Sequence, residues 1–372
     1  MKRDKVFSHQ HSIDALFQPF SIKNLSLPNR TVMAPMTRGF SPGGVPNDKV
    51  AAYYRRRAEN GVGLIITEGT GINHPASIDD PDVPIFYGKE ALEGWGKVVN
   101  EVHEAGGKII PQLWHVGMIR EIGAQPNKDS LPVGPSGLSV AGEKLTEPLT
   151  EEEIHLLIQA YADAAYNAKQ IGFDGIEIHG AHEYLIDQFF WERTNKRTDC
   201  YGGSLKERTR FAAEVVKECR KVVGADFPIF FRFSQWKMSD YRAKLAENPK
   251  ELADFLKPLQ ESGVDVFHCS TRRFWEAEFA DSDLNLAGWT KYLTGLPSIT
   301  VGSVGLEDDF TSFDSSNTTS IQRLLERLEK GEFDLVAIGR PLISDPAWVA
   351  KIQQGDYEDI NPFSKEALNT LY

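Results

Sequence analysis

Two histidines and a tyrosine fall within six residues of one another in the stretch Ile176-Glu177-Ile178-His179-Gly180-Ala181-His182-Glu183-Tyr184. The apolar, period-2 start of this stretch reads as a buried strand that ends at the histidines. Only Gly180 and Ala181 separate His179 from His182, so both imidazoles can converge on one small target. Neutral imidazoles and a phenol are hydrogen-bond donors, and the phenol can also give up a proton. Such a trio suits a clamp on a carbonyl oxygen, with His179 and His182 as the clamp and Tyr184 as the proton source. The alternatives are a structural pair or a metal site built on the two imidazoles. A metal would want further ligands, and Glu177 shares His179's strand face one layer deeper. No metal is therefore expected.

The elements that must position these groups alternate from residue 30 almost to the end. Strand-like runs read Thr31–Met36, Gly63–Thr67, Lys108–Leu113, Gly175–His179, Ile229–Phe233, Val264–Cys269, Ser298–Val301 and Leu335–Ile338. Amphipathic stretches lie between most of them. Thr150-Glu151-Glu152-Glu153 is a capping box, opening a helix whose apolar face is Ile154, Leu157, Ile158 and Tyr161. Ser204-Leu205-Lys206-Glu207 opens another. The crossover after the sixth strand is weak, with barely a turn or two of helix expected at Trp289–Thr294. Eight strands with seven or eight crossovers predict an α/β fold, a (β/α)8 TIM barrel. A doubly wound sheet is the alternative, but no Gly-x-Gly-x-x-Gly follows any strand. Leu16–Asn29 reads as an N-terminal β-hairpin capping the barrel. Trp114–Pro148, between the third strand and third helix, is a long loop expected to wall the site. Asp314–Thr319 reads as a polar loop. A single domain over 1–372 is expected, with 1–15 a flexible extension.

Chemistry in such barrels sits at the carboxyl ends of the strands, and phosphate sits after strands seven and eight. Those ends carry Thr37, Gly69, Gln112 with Trp114, His179, Arg232, Gly302-Ser303 and Gly339-Arg340. Small residues in the last two pairs would let backbone N–H groups reach a phosphate whose charge Arg340 offsets. Arg232 could pair with Glu177 inside the barrel or could stabilise negative charge on a reduced flavin ring. Gln112 and Thr37 would then meet the ring's pyrimidine edge.

Several segments together resemble the old yellow enzyme family of FMN-dependent ene-reductases. They are Asn29-Arg30, Ala34-Pro35-Met36-Thr37-Arg38, Gln112-Leu113-Trp114-His115, His179 to Tyr184, Asn195 to Ser204, and Gly339-Arg340-Pro341. The resemblance spans roughly residues 15–360, and the His179–Tyr184 and Asn195–Ser204 segments together are specific. It implies tightly bound, non-covalent FMN and NAD(P)H as reductant. It also implies that Pro35, Met36, Thr37, Gly69, Gln112 and Arg232 surround the flavin ring, and that Gly302, Ser303, Gly339 and Arg340 hold its phosphate. His179 and His182 would bind the oxygen of an electrophilic alkene or nitro compound, Tyr184 would protonate it, and Trp114 would line the pocket. Trp275 is expected to overhang that pocket. The chain departs from the family pattern at Thr37, a cysteine in one branch, at Trp191-Glu192, and at Arg272-Arg273-Phe274-Trp275. A metal-dependent hydrolase and an idle ligand-binding barrel are the readings from other classes.

Composition narrows the partners. The 372 residues carry a formal charge of -12, which argues against nucleic acid or an anionic membrane surface as a partner. Hydrophobic residues make up 41%, ample for a large core. Three cysteines without a Cys-x-x-Cys exclude a disulfide scaffold. The first sixteen residues are charged, with no apolar stretch of a secretion signal, and no run of eighteen apolar residues occurs. A cytoplasmic enzyme, monomeric or homo-oligomeric, is expected.

Overall fold

The computed structural model describes residues 12–308 and 315–372. Residues 1–11 of the expected extension, and Asp314 of the expected polar loop, lie outside the described residues. Within the extension, Ile13–Ala15 form a short 3-10 turn capped by the Ser12 hydroxyl, and the adjoining Leu16 is fully buried.

Strands β1 (Phe20–Ile22) and β2 (Leu25–Leu27) form an antiparallel hairpin. Leu25 and Leu27 pack into one apolar cluster with Val32, Leu64, Ile110, Phe230 and Val266 of the barrel interior. Burying side chains of this size stabilises by roughly 1.5–3 kcal/mol each. The Asn24 N–H donates to the Asp226 carbonyl and pins the turn to the barrel rim. The hairpin is the expected cap.

Eight parallel strands close the barrel: β3 (Thr31–Met33), β4 (Leu64–Gly71), β5 (Ile109–Trp114), β6 (Ile176–Gly180), β7 (Ile229–Ser234), β8 (Val266–Ser270), β9 (Ser298–Val301) and β10 (Leu335–Ile338). β10 pairs with both β9 and β3, and that closure removes the doubly wound alternative. β3 is shorter than the expected Thr31–Met36. Its ladder ends with the Ala34 N–H on the Ile338 carbonyl, because Pro35 has no N–H to continue it. β4 runs longer than expected through a bulge between Ile66 and Gly69. The groups freed there find partners: the Thr67 hydroxyl accepts the Gln112 N–H, and the Glu68 N–H donates to the Tyr54 hydroxyl. The bulge sets Gly69 beside Gln112 at the mouth of the barrel.

Outside lie α1 (Asp48–Glu59), α2 (Lys89–Glu104), α3 (Glu151–Ile171), α4 (Leu185–Phe190), α5 (Leu205–Arg208), α6 (Arg210–Val223), α7 (Pro249–Ser262), α8 (Leu286–Thr294), α9 (Gln322–Glu329), α10 (Arg340–Ser344) and α11 (Trp348–Gln354). Both expected capping boxes form, at Thr150 with Glu153 and at Ser204 with Glu207. The weak crossover is a nine-residue helix, α8, started by Asn285, whose side chain accepts the Gly288 N–H. That Asn cap four residues before the first expected helical position was the legible signal.

The segment Asn195–Ser204 serves as scaffold. Asn195 donates to the carbonyls of Phe189 and Tyr201, and Arg197 reaches those of Pro135 in the long loop and Leu149 just after it. A Cβ at Gly202 would sit 1.8 Å from the Arg197 carbonyl oxygen, so only glycine fits. The long loop folds around a buried arginine, Arg120, which donates to the carbonyls of Ile78, Ala124, Asn127 and Ser130. Its inner residues Val116 and Ile119 pack with Ile78, Val83, Trp114 and Tyr184. The loop is a wall beside the strand ends.

Candidate active site

A cavity of about 350 Å³ opens at the carboxyl ends of the barrel strands. Pro35, Met36, Thr37, Gly69, Gln112, Trp114, His179, His182, Tyr184, Arg232, Gly302, Ser303, Gly339 and Arg340 all line it. They come from loops or strand ends all around the barrel, which is how this architecture assembles a site.

His179 is the penultimate residue of β6, with its ring edge-on to His182 at 5.3 Å and to Tyr184 at 5.0 Å between centroids. The Ala181 N–H donates to Nδ1 of His179, so the neutral ring carries its proton on Nε2. Nε2 of His182 lies 2.8 Å from the Ser270 hydroxyl, and its ring stacks on Trp236 at 4.7 Å. Burial, and then the charge of Arg232, holds both histidines well below the ordinary imidazole value. They are neutral donors at any physiological pH. Burial also pushes the Tyr184 phenol up to about 12, so its proton stays on. The ring of Tyr184 stands perpendicular to Trp114 at 4.9 Å.

Arg232 ends on the same side as the histidines and is 7% exposed. Its Nη2 makes one long bond of 3.4 Å to the Ser270 hydroxyl, and its Nε has no partner among the described residues. Glu177 is not its ion-pair partner. That carboxylate accepts from the Gln112 amide at 2.8 Å through one oxygen and meets Nδ1 of His268 at 2.7 Å through the other. A buried guanidinium without a carboxylate in contact calls for an electron-rich acceptor in the cavity. With Glu177 holding the Gln112 NH₂, the amide oxygen is the group left for a donor. On the far side, Gly302 has φ 135°, and a Cβ there would meet the Thr271 carbonyl at 2.6 Å. Ser303 donates to the Arg272 carbonyl, and Arg340 donates to the Asp308 carbonyl at 2.6 Å with its guanidinium 5.5 Å from the Phe363 ring.

Trp275 is a correction. It does not line the cavity; its ring stands edge-on to Phe274 and packs against the main core, and its carbonyl accepts from Arg327. Phe274 is pinned by its N–H on the Gly302 carbonyl, which turns the next residue away from the opening. Thr271 and Arg272 are the residues of that loop that reach the cavity. Trp191 also stays outside it, under the guanidinium of Arg193 at 4.4 Å. Trp236, Met238 and Ser270 line the site without having been expected there. The aromatic run continuing past Phe233 as Ser234-Gln235-Trp236 was the signal for the first of them.

Glu68, buried beneath the first loop, accepts the N–H groups of Arg38 and Gly39 at 2.8 and 3.0 Å and so anchors the Thr37 segment. Burial raises its carboxyl from 4.5 to about 7 despite those bonds. The folded chain thus keeps a proton that the unfolded chain releases above pH 4.5. The associated stability is full below 4.5 and is lost as pH rises through 7, by about 3 kcal/mol in total. Glu68→Gln should flatten that slope in denaturant unfolding measured from pH 4.5 to 8.5. An unchanged slope would mean Glu68 ionises normally.

The model of the NADH:flavin oxidoreductase / NADH oxidase family matches residues 15–359. The chain belongs to the old yellow enzyme family. Members of this family bind FMN and use NAD(P)H as reductant, and this protein is an NAD(P)H-dependent flavin oxidoreductase. The chain is 36% identical over 339 residues to an NADPH dehydrogenase of Clostridium acetobutylicum, covering 90% of this chain and 93% of that protein. It is 34% identical to 12-oxophytodienoate reductase 2 of Arabidopsis thaliana, covering 89% and 86%. An NADH oxidase of Thermoanaerobacter brockii is also 34% identical over 93% of this chain, which spans 52% of that longer protein. Among solved structures, morphinone reductase in complex with tetrahydroNAD superposes with a TM-score of 0.80 at 29% identity, covering 95% of this chain and 93% of that one. An old yellow enzyme homologue from Zymomonas mobilis gives 0.78 at 26%, covering 95% and 96%.

Proposed function

We propose that this old yellow enzyme reduces the carbon–carbon double bond of α,β-unsaturated carbonyl or nitro compounds. The observation that carries the reading is Arg232, buried at the cavity floor with no ion pair among the described residues and facing the same space as His179, His182 and Tyr184. FMN, when bound, would take hydride from NAD(P)H and pass it to the alkene, the two binding in turn in a ping-pong cycle. Arg232 would offset the negative charge that a reduced ring gathers, the Gln112 oxygen would take its N–H, and Pro35, Met36, Thr37 and Gly69 would border it. Gly302, Ser303, Gly339 and Arg340 would hold the phosphate. His179 and His182 hold the substrate's oxygen by neutral N–H donors and so draw electron density from the alkene. Tyr184 gives its proton to the α-carbon as hydride arrives at the β-carbon. Trp114 walls the substrate. Among the described residues no group of three His, Cys, Asp or Glu side chains is placed to hold a metal, and no helix is long and apolar enough to cross a membrane. A cytoplasmic location is part of the reading and rests on the sequence.

The purified protein should carry a flavin spectrum and oxidise NAD(P)H when an enone is added. Arg340→Ala should weaken FMN retention by about tenfold or more, in keeping with a charge-assisted phosphate contact. A colourless protein that takes up no added FMN ends the reading. Thr37→Ala removes a donor at the ring's edge, so the flavin potential should fall and reduction by NAD(P)H should slow. Equal slowing of alkene reduction would assign Thr37 to structure instead.

A further inference from the structure

Beside the clamp, two successive residues hold a backbone conformation that side chains avoid. His182 and Glu183 have φ of 61° and 64°, and neither is a glycine. Such a geometry persists only where its surroundings over-determine it. Here the surroundings are a clasp from the loop after β7. Asp187 and Lys237 form a fully buried ion pair. The free oxygen of Asp187 accepts the Glu183 N–H at 2.8 Å. Ser239 donates its N–H and its hydroxyl to the two oxygens of the Glu183 carboxylate. Lys237 and Asp240 close a tight turn through paired backbone bonds, and Trp236, next to Lys237, carries the His182 ring. The His182 N–H is taken by the Ser234 hydroxyl at 3.2 Å.

A buried ion pair is weak as a source of stability, because desolvation offsets its attraction. What this one does is directional. Without Lys237 the Asp187 carboxylate would be an uncompensated buried charge, and the acceptor of the Glu183 N–H would not keep its place. We propose that Lys237 is a positioning residue that acts through Asp187 and Glu183 to preset His182 for the substrate's oxygen. The proposal rests on the oxygen-holding role of His182 given above. Lys237 also lies 5.7 Å from the Trp191 ring, which accounts for the unusual aromatic at that position as the other wall of the ammonium's pocket.

The test uses FMN-loaded protein and three variants. Lys237→Met keeps length without charge, Ser239→Ala removes one bond to Glu183, and His182→Ala is the reference. The Kd of 4-hydroxybenzaldehyde is read from its absorbance change on the flavin, beside KM and kcat for an enone. Lys237→Met should raise Kd and KM about tenfold or more, since small misplacements at a reacting centre are costly. Ser239→Ala should raise both by about threefold, and saturating turnover and FMN content should change much less. If His182→Ala weakens the phenol while folded Lys237→Met and Ser239→Ala do not, the clasp is overturned and the oxygen-holding role stands. Should Lys237→Met fail to fold, an unmoved Kd in Ser239→Ala alone overturns it. A Kd unmoved by His182→Ala overturns the oxygen-holding role itself and the clasp with it.

Discussion

Tyr184→Phe should lower enone turnover by about 10² to 10⁴, the range for losing a general acid, while reduction of the flavin by NAD(P)H stays close to that of the unaltered protein. The ring of Tyr184 packs between Trp114 and His179, and phenylalanine keeps those contacts. Only the hydroxyl is lost, and neither histidine proposed to anchor the substrate's oxygen goes with it. Because burial pushes the phenol up to about 12, the proton is present throughout the neutral and moderately alkaline range. Enone turnover should therefore show no loss as pH passes the ordinary tyrosine value of 10. With a nitroalkene, hydride delivery should survive the substitution and a nitronate should accumulate, since that anion is stable enough to await a proton from water. Rapid-mixing traces decide the matter. Normal enone reoxidation in the variant would mean that another group or solvent supplies the proton.

His179→Ala should lower kcat/KM for enones by about 10² to 10³, the usual cost of removing one donor from an oxyanion site. Phenol affinity should fall with it, because in the proposed function both ligands would present oxygen to the same Nε2–H. Both histidines sit well below the ordinary 6.5, through burial and the neighbouring Arg232. A group with a lowered value stays neutral as pH falls past 6.5, so binding of a non-ionising ketone should show no step there. A step at 6.5, or phenol binding unchanged in His179→Ala, would remove the histidine from the clamp.

The candidate site was unusually legible because so much of it lies at strand ends. In a barrel the strand's carboxyl end is the active face, so finding eight strands located Gln112, His179, Arg232 and Gly302 without any knowledge of their contacts. The short motif from His179 to Tyr184 is local, and its three side chains meet because β6 ends where the apolar alternation stops. Trp275 failed for the opposite reason. A loop residue's direction depends on what its neighbour is tied to, and the bond from Phe274 to Gly302 reverses the side that the sequence suggested.

By itself the sequence determined the order and type of the elements, both capping boxes, the hairpin and the family, since periodicity, caps and turn residues act within a few positions. Only the tertiary structure decided how charge is distributed in the site. Glu177 takes Gln112 and His268, 65 and 91 residues away, and leaves Arg232 to the cavity. Lys237 finds Asp187 across 50 residues, and Ser270 meets His182 across 88. Each pair joins two different elements of the fold, so the pairing follows from the register in which the barrel closes. No local pattern encodes that register, because it is set by how all eight strands and the hairpin fill one interior at once.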